Sequence, residues 1–209
     1  SLGALQLELR QPKDAESSLQ RYLTLGAAKP EPAPASDDDD EQDQDTFLEG
    51  GRTQAWLMLA QAAELRGDGK AASGWLDKID DPQRALEVQT RRATLMAKQG
   101  KLREARALVQ QVPERKPEDA RAKLIAESQV LREVKRWPDA HAVLVSANER
   151  FPSDVDLLYE QAMMAEKLSR LDEMERVLRR VIELKPDHQH AYNALGYSLA
   201  ERNLRLDEA

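Results

Sequence analysis

The chain has 209 residues, of which 33% are charged and 41% are apolar, and it contains no cysteine. This composition is typical of a folded protein of one or two domains, and it excludes a disulfide framework and a thiolate metal site. No stretch approaches the roughly 18 uninterrupted apolar residues that cross a bilayer, so no direct membrane contact is expected. Ala, Leu, Glu, Arg, Lys and Gln dominate, which predicts an all-α chain.

The first segment, residues 1–25, has a helical pattern that starts at Ser1 without an initiator Met. We therefore expect a fragment of a longer chain, cut inside a helical unit at each end. Such cuts leave apolar faces around Leu2 and Leu5 at one end and Leu195 and Leu199 at the other. Exposed apolar faces favour pairing between molecules, so a homo-oligomer formed through these ends is one expectation.

The second segment, residues 26–52, combines a Pro/Ala stretch with an acidic run. Residues 26–51 hold nine acidic side chains and one basic one, whereas the whole chain has a formal net charge of −7. The rest of the chain is therefore close to neutral. A segment of this composition buries too little apolar surface to offset its ordering entropy, so we predict a disordered insert. Weak cation binding and electrostatic docking of a basic partner are the functional alternatives.

The remainder of the chain repeats with a period near 34 residues. Pro152 and Pro186 are 34 positions apart, and the small residues Ala72, Ala105 and Ala140 are separated by 33 and 35 positions. Several independent positions keep this period, which favours a repeat array over a generic helical bundle. The acidic insert interrupts the array and does not separate two domains.

Two stretches carry a recognisable repeat motif. Tyr192, Leu195 and Gly196 fit an aromatic-x-x-Leu-Gly first helix, while Ala140 and Pro152 fit the small residue and the terminating proline of a second helix. This pattern resembles the tetratricopeptide repeat, a helix-turn-helix unit. The predicted division is a partial repeat at 1–25, the insert at 26–52, full repeats at 53–85, 86–120, 121–154 and 155–188, and a partial repeat at 189–209.

The resemblance implies an α-solenoid, in which antiparallel helix pairs stack into a right-handed superhelix. Gly67 and Gly100 fall at the turns between paired helices, where a permissive backbone is useful. In this family the first helix of each repeat lines a concave groove that binds peptides or helices of other proteins. Carried over, the predicted groove residues are Leu57, Gln61, Thr94, Lys98, Ile125, Gln129, Arg132, Tyr159, Met163, Lys167, Asn193 and Tyr197.

Three of these residues are the preferred anchors for a partner: Tyr159, Met163 and Tyr197. Aromatic and apolar groups that point to solvent beside amides are typical of a peptide-binding groove. Arg132 and Lys167 are expected to orient acidic groups of the ligand or to pair with neighbouring glutamates. The alternative is that both tyrosines only cover the contacts between repeats. The groove positions lack the Lys and Asn pairs with which chaperone-reading members of the family clamp a terminal carboxylate.

Catalysis has little support in the sequence. The three histidines are His141, His188 and His190, and none belongs to a recognisable catalytic or metal-binding motif. His141 is expected to be exposed or to have a satisfied structural role. No cofactor, metal or enzymatic activity is predicted. Nucleic-acid binding is also disfavoured, because the paired arginines at 91–92 and 179–180 do not form a basic stripe.

A narrower resemblance concerns residues 191–202, which are similar to the last repeats of long bacterial tetratricopeptide lipoproteins of the outer membrane. Some of these proteins tether carboxyl-terminal processing proteases. The resemblance implies a periplasmic full-length protein with a protease among its partners, and a cytoplasmic location is the close alternative. The resulting hypothesis is a non-catalytic adaptor that binds a peptide segment or helix of another protein. Its rival is an assembly module that associates with itself through the edges of the solenoid.

Overall fold

The computed structural model describes the backbone of residues 11–27 and 38–207 and the side chains of residues 11–25 and 49–202. Residues 1–10 and 28–37, which belong to the predicted first repeat and acidic insert, lie outside the described residues. All the regular structure described is helical, as the composition predicts. The helices are α1 Pro12–Ala27, α2 Asp38–Leu65, α3 Gly69–Leu76, α4 Ala85–Lys98, α5 Leu102–Gln110, α6 Pro117–Glu133, α7 Trp137–Arg150, α8 Val155–Lys167, α9 Leu171–Leu184 and α10 Gln189–Asp207, with a short 3-10 turn at Pro82–Arg84 before α4.

The helices form antiparallel pairs joined by short turns, and the turns share one backbone feature. Gly67, Gly100, Lys135 and Ser169 have φ angles of 75°, 83°, 57° and 56°. Each follows the first helix of a pair, and successive positions are 33, 35 and 34 residues apart. A left-handed residue at this place ends a helix and reverses the chain. The turn role predicted for Gly67 and Gly100 is therefore confirmed, and the repeat period is visible in the backbone itself.

The chain divides into two compact units, residues 1–88 and 89–209. In the first unit, α2 packs against both α1 and α3. The core joins Ala15 and Leu19 of α1 to Met58, Leu59 and Ala62 of α2. Small residues at these contacts let the helix backbones approach closely.

In the second unit, α5 to α10 pack in sequence, each helix against the next. Leu131, Leu144 and Leu157 are fully buried in the core between α6, α7 and α8, while Leu178 and Val181 are buried between α8, α9 and α10. Each helix therefore buries residues against its neighbours in the chain, which is how a solenoid is stabilised.

A helix begins inside the predicted acidic insert. Helix α2 starts at Asp38, so the backbone of residues 38–52 is helical. This stretch is continuous with the packed part of α2. Extending an existing helix adds one backbone hydrogen bond per residue without a new nucleation cost. The other predicted repeat boundaries stay a prediction.

No helix in the described part of the chain is both long enough and apolar enough to cross a membrane.

Candidate protein-binding surface

The predicted groove residues of the second unit lie on the first helices of successive pairs, α4, α6, α8 and α10. Ile125, Gln129 and Arg132 of α6 line a small cavity of about 140 Å³ together with Asp156 and Glu160 of α8. The fold therefore brings these three predicted groove residues together on one surface. Gln129 is exposed, and Ile125 is half-buried, so both are accessible from this face.

Arg132 is not free to orient an acidic ligand by itself. Its guanidinium pairs with the carboxylate of Glu160 on α8, a contact that ties two repeats together. A neighbouring glutamate was the alternative partner expected for Arg132, and the adjacent Glu133 lies 4.0 Å from Nζ of Lys98 on α4. The side chain of Arg132 extends toward α8, so it contacts Glu160 on that helix.

A second arginine of α6 makes a stronger connection to α8. Nε and Nη2 of Arg121 donate to the two carboxylate oxygens of Asp154 at 2.5 and 3.1 Å, and Nη2 also donates to Asp156 at 3.0 Å. Asp154 accepts a further hydrogen bond from the backbone N–H of Leu157, as the N-cap of α8. The Arg121 contact, helped by this cap, lowers the pKa of Asp154 despite partial burial. The pair fixes α8 relative to α6.

The preferred anchors differ in exposure. Tyr159 and Met163 of α8 are partly buried against the core of α8, α9 and α10, whereas Tyr197 of α10 is 65% exposed. The ring of Tyr159 lies 5.2 Å from that of His188, whose ring lies 6.2 Å from His190. Tyr159 therefore covers a contact between repeats as well as facing solvent, and Tyr197 is the more accessible anchor.

His188 is a residue of this surface that the sequence analysis considered only as a metal ligand. Its Nδ1 accepts a hydrogen bond of 3.1 Å from the backbone N–H of Ala191 at the start of α10. The histidine thus positions both α10 and the ring of Tyr159. Its place just before a helix, three residues ahead of an amide, was the signal available in the sequence.

The remaining predicted residues of the second unit are polar. Nζ of Lys167 lies 5.9 Å from the ring centroid of Trp137, a cation–π arrangement on the α7 side. Asn193 is exposed on α10, four residues before Tyr197, so both lie on one helix face. Thr94 of α4 is half-buried, and its hydroxyl donates to the carbonyl of Thr90.

The two predicted groove residues of the first unit differ in solvent exposure. Gln61 of α2 is exposed, but Leu57, a predicted groove residue, is only 2% exposed and is therefore buried in the core. Helix α2 is apolar on nearly all sides from Ala55 to Ala63, and a helix of that kind is buried. The continuous run of apolar residues in this segment was the available signal.

His141 has a satisfied structural role, as expected. It is 7% exposed, and its Nε2 lies 2.7 Å from Oε1 of Glu173, which also accepts from Nε2 of Gln161 at 2.7 Å. Burial raises the pKa of Glu173, but the hydrogen bonds from Gln161 and His141 outweigh it and hold that pKa below its ordinary value. Among the described residues, no group of three or more His, Cys, Asp and Glu side chains is arranged to hold a metal ion.

The chain is similar to a TPR repeat-containing protein of Pseudomonas aeruginosa, with 31% identity over 151 residues. The match covers 72% of this chain and 26% of the relative, so this chain spans about a quarter of its length. No family model matches the chain.

Solved structures with a similar arrangement include YrrB, described as a TPR protein with an unusual peptide-binding site. It has a TM-score of 0.44 and 14% identity, covering 92% of this chain and 87% of that one. MamA from Desulfovibrio magneticus has a TM-score of 0.46 and 18% identity, covering 73% and 86%. The repeat motifs, the helix pairs with a left-handed turn every 33 to 35 residues and the Pseudomonas relative together identify this chain as a member of the tetratricopeptide repeat family.

Proposed function

We propose that the chain is a non-catalytic protein-interaction scaffold, and that the first helices of its second unit bind an extended segment or a helix of a partner protein. Two observations support this proposal: Tyr197 and Asn193 are exposed on one face of α10, and Tyr159 contacts His188, which lies just before that helix. An exposed tyrosine combines a large contact area with a hydroxyl, which makes it a good anchor for a peptide.

Polar side chains along the same face supply hydrogen bonds for a bound backbone. Gln129 and Asn193 are exposed amides, and Lys98 and Lys167 are exposed cations on α4 and α8. The ion pairs of Arg121 and Arg132 keep the first helices in register, so the surface is preorganised before a partner arrives. Several shallow contacts of this kind suit a peptide better than a compact small molecule.

The test compares two exposed tyrosines of α10. Tyr197→Ala removes the proposed anchor, whereas Tyr192→Ala removes a tyrosine that is 49% exposed on a different face of the same helix. Partner proteins are captured from native extract and measured by quantitative mass spectrometry, and the affinity of a captured protein is then measured directly. The proposal expects binding to fall about tenfold or more with Tyr197→Ala only. Equal effects of the two changes contradict it.

Self-association is the competing function, because Tyr192 and Leu199 expose apolar surface on α10. Analytical ultracentrifugation distinguishes the two. A dimer that dissociates with Tyr192→Ala, together with no partner that depends on Tyr197, supports the assembly role and rejects the scaffold role.

A further inference from the structure

A cleft in the first unit has the features of a second binding surface. The space between α1 and α3, over α2, has a volume of about 630 Å³, within the range of ligand pockets. We name it the aromatic furrow. Its lining residues are Gln20, Leu23 and Thr24 of α1, Trp56 of α2, Trp75 of α3 and Lys78 just after α3.

The same repeat positions form a second furrow inside the second unit, between α7 and α9 over α8, with a volume of about 740 Å³. The small-residue position of the second helix is occupied by Ala15 in α1 and Ala140 in α7, and by Ala72 in α3 and Met174 in α9. Two residues are equivalent when they are the same number of residues away from these positions. By this count, every lining residue of the aromatic furrow has an equivalent that lines the second furrow. The equivalents, in order, are Val145, Asn148, Glu149, Leu158, Val177 and Arg180. The furrow is therefore a recurring product of the repeat geometry.

The chemistry of the two furrows differs. In the second unit, Asn148 donates to the side chain of Gln161 at 2.8 Å, and Gln161 and His141 both donate to Glu173, so polar groups lining that furrow satisfy one another. In the aromatic furrow, Leu23 stands in place of Asn148, and two tryptophans stand in place of Leu158 and Val177.

Both tryptophans of the aromatic furrow have an indole N–H for which the described residues supply no acceptor. Trp56 and Trp75 are partly buried against the core of the first unit, so their ring planes are held in place. Within the described part of the chain, neither indole N–H donates to a protein acceptor, and neither nitrogen is among the buried atoms that lack a partner. Both donors are thus accessible to an acceptor brought by a ligand.

The furrow carries a positive charge that has no acidic partner among the described residues. Nζ of Lys78 lies 5.8 Å from the ring centroid of Trp75, and Lys78 makes no ion pair with any described residue. None of the lining side chains is acidic. A ligand with a carboxylate beside the ring of Trp75 meets the ammonium of Lys78 there.

We propose that the aromatic furrow binds a proline-rich segment of a partner protein that carries an acidic side chain. A polyproline II backbone makes no internal hydrogen bonds, so its carbonyls are free to accept from the two indole N–H groups. Proline rings pack flat against aromatic side chains, and a preformed helix loses little entropy on binding. Lys78 then selects segments with a glutamate or aspartate over basic ones.

The test uses the whole chain and a short synthetic peptide of prolines with one central glutamate, measured by isothermal titration calorimetry. Two control peptides replace the prolines by alanine or the glutamate by lysine. The double change Trp56→Leu and Trp75→Val installs the residue types of the other furrow, which keeps an apolar core contact, and circular dichroism verifies its helicity. Tyr197→Ala is a control that leaves this furrow intact.

The proposal predicts that the proline and glutamate peptide binds, that the double change weakens it about tenfold or more, and that Lys78→Glu weakens it as well. Tyr197→Ala leaves this affinity unchanged, so the result is independent of the proposed groove. The proposal is overturned if the unchanged chain does not bind the peptide, if the alanine peptide binds equally well or if the double change has no effect. Sedimentation that shows a dimer dissolved by the double change also overturns it, because a second copy then occupies the furrow.

Discussion

The imidazole of His141 on α7 is joined to the carboxylate of Glu173 on α9 by a hydrogen bond of 2.7 Å. Nη1 of Arg170 lies 3.4 Å from the other ring nitrogen, Nδ1. Gln161 of α8 donates to the same carboxylate oxygen. One glutamate thus connects the second helices of two successive repeats with the first helix between them.

Replacing this glutamate is expected to weaken the second unit. Glu173→Ala leaves the buried donors of His141 and Gln161 without an acceptor, which costs about 1–3 kcal/mol in the free energy of unfolding. Glu183→Ala is the matched control on the same helix, because its side chain is 66% exposed, and it is expected to cost less than about 0.5 kcal/mol. Urea denaturation measures both changes. Equal stabilities of the two variants contradict the structural role of Glu173.

Much of the fold could be predicted from the sequence because several residue positions keep the same repeat period. The period of the small residues and the glycines at 67 and 100 predicted the helix pairs and their turns. The start of α2 at Asp38 could not be predicted, because local composition alone does not show that a packed helix is available to extend. Lys135 and Ser169 take the left-handed conformation without being glycine, so the turns they form have no signal in residue type.

At these left-handed turns, replacing a residue by glycine and replacing a glycine by alanine should change the free energy of unfolding in opposite directions. Ser169→Gly removes the crowding of a Cβ at φ 56° and should raise the free energy of unfolding by about 0.5–1 kcal/mol. Gly100→Ala imposes the same crowding at φ 83° and should lower it by about 1 kcal/mol. Gly69→Ala is the control, since it lies at the start of α3 with open space around an added Cβ. Thermal unfolding followed by circular dichroism measures all three, and a loss of stability with Ser169→Gly contradicts the prediction.

Two adjacent glycines of α2 should respond differently to alanine. Gly50→Ala meets no atom within 4 Å and should stabilise the helix by up to about 1 kcal/mol through its higher helix propensity. A Cβ at Gly51 comes to 2.6 Å from the hydroxyl oxygen of Tyr22 on α1, so Gly51→Ala should gain less. In a Tyr22→Phe background the hydroxyl is absent, and the difference between the two alanine variants should shrink. A difference that stays the same in both backgrounds rules out the Tyr22 contact as its cause.

The Arg121–Asp154 pair predicts a dependence of stability on pH. The pKa of Asp154 is lower in the folded than in the unfolded chain, chiefly because of Arg121, so its ionised form stabilises the fold. This contribution is complete above the ordinary carboxyl pKa of about 4 and is lost as the pH falls through the lowered value. Asp154→Asn should therefore be less stable than the unchanged chain near neutral pH, and the gap should narrow in acid.

Chemical denaturation between neutral and acidic pH measures this gap. Asp156→Asn serves as the control, because its side chain is 78% exposed and only one oxygen contacts Arg121. A gap that is constant with pH, or that is the same for both variants, shows that Asp154 does not carry the predicted titration.

The binding surface was predictable where the repeat pattern sets the direction of a side chain. Ile125, Gln129 and Arg132 converge on one cavity because they share a face of α6. The burial of Leu57 and the pairing of Arg132 with Glu160 depend on neighbouring helices, whose contacts a single-helix pattern does not contain. The aromatic furrow was missed for the same reason, since Trp56 and Trp75 come together only when α2 and α3 pack.

The most direct test of the scaffold function is site-specific photo-crosslinking in native extract. A photoreactive amino acid replaces Asn193 or Gln129, both exposed on first helices, or Glu183, exposed on the second helix α9. If the first-helix face binds a partner, the same protein crosslinks from positions 129 and 193 and not from position 183. Crosslinking of that protein from position 183 alone, or equally from all three positions, would contradict binding along the first helices.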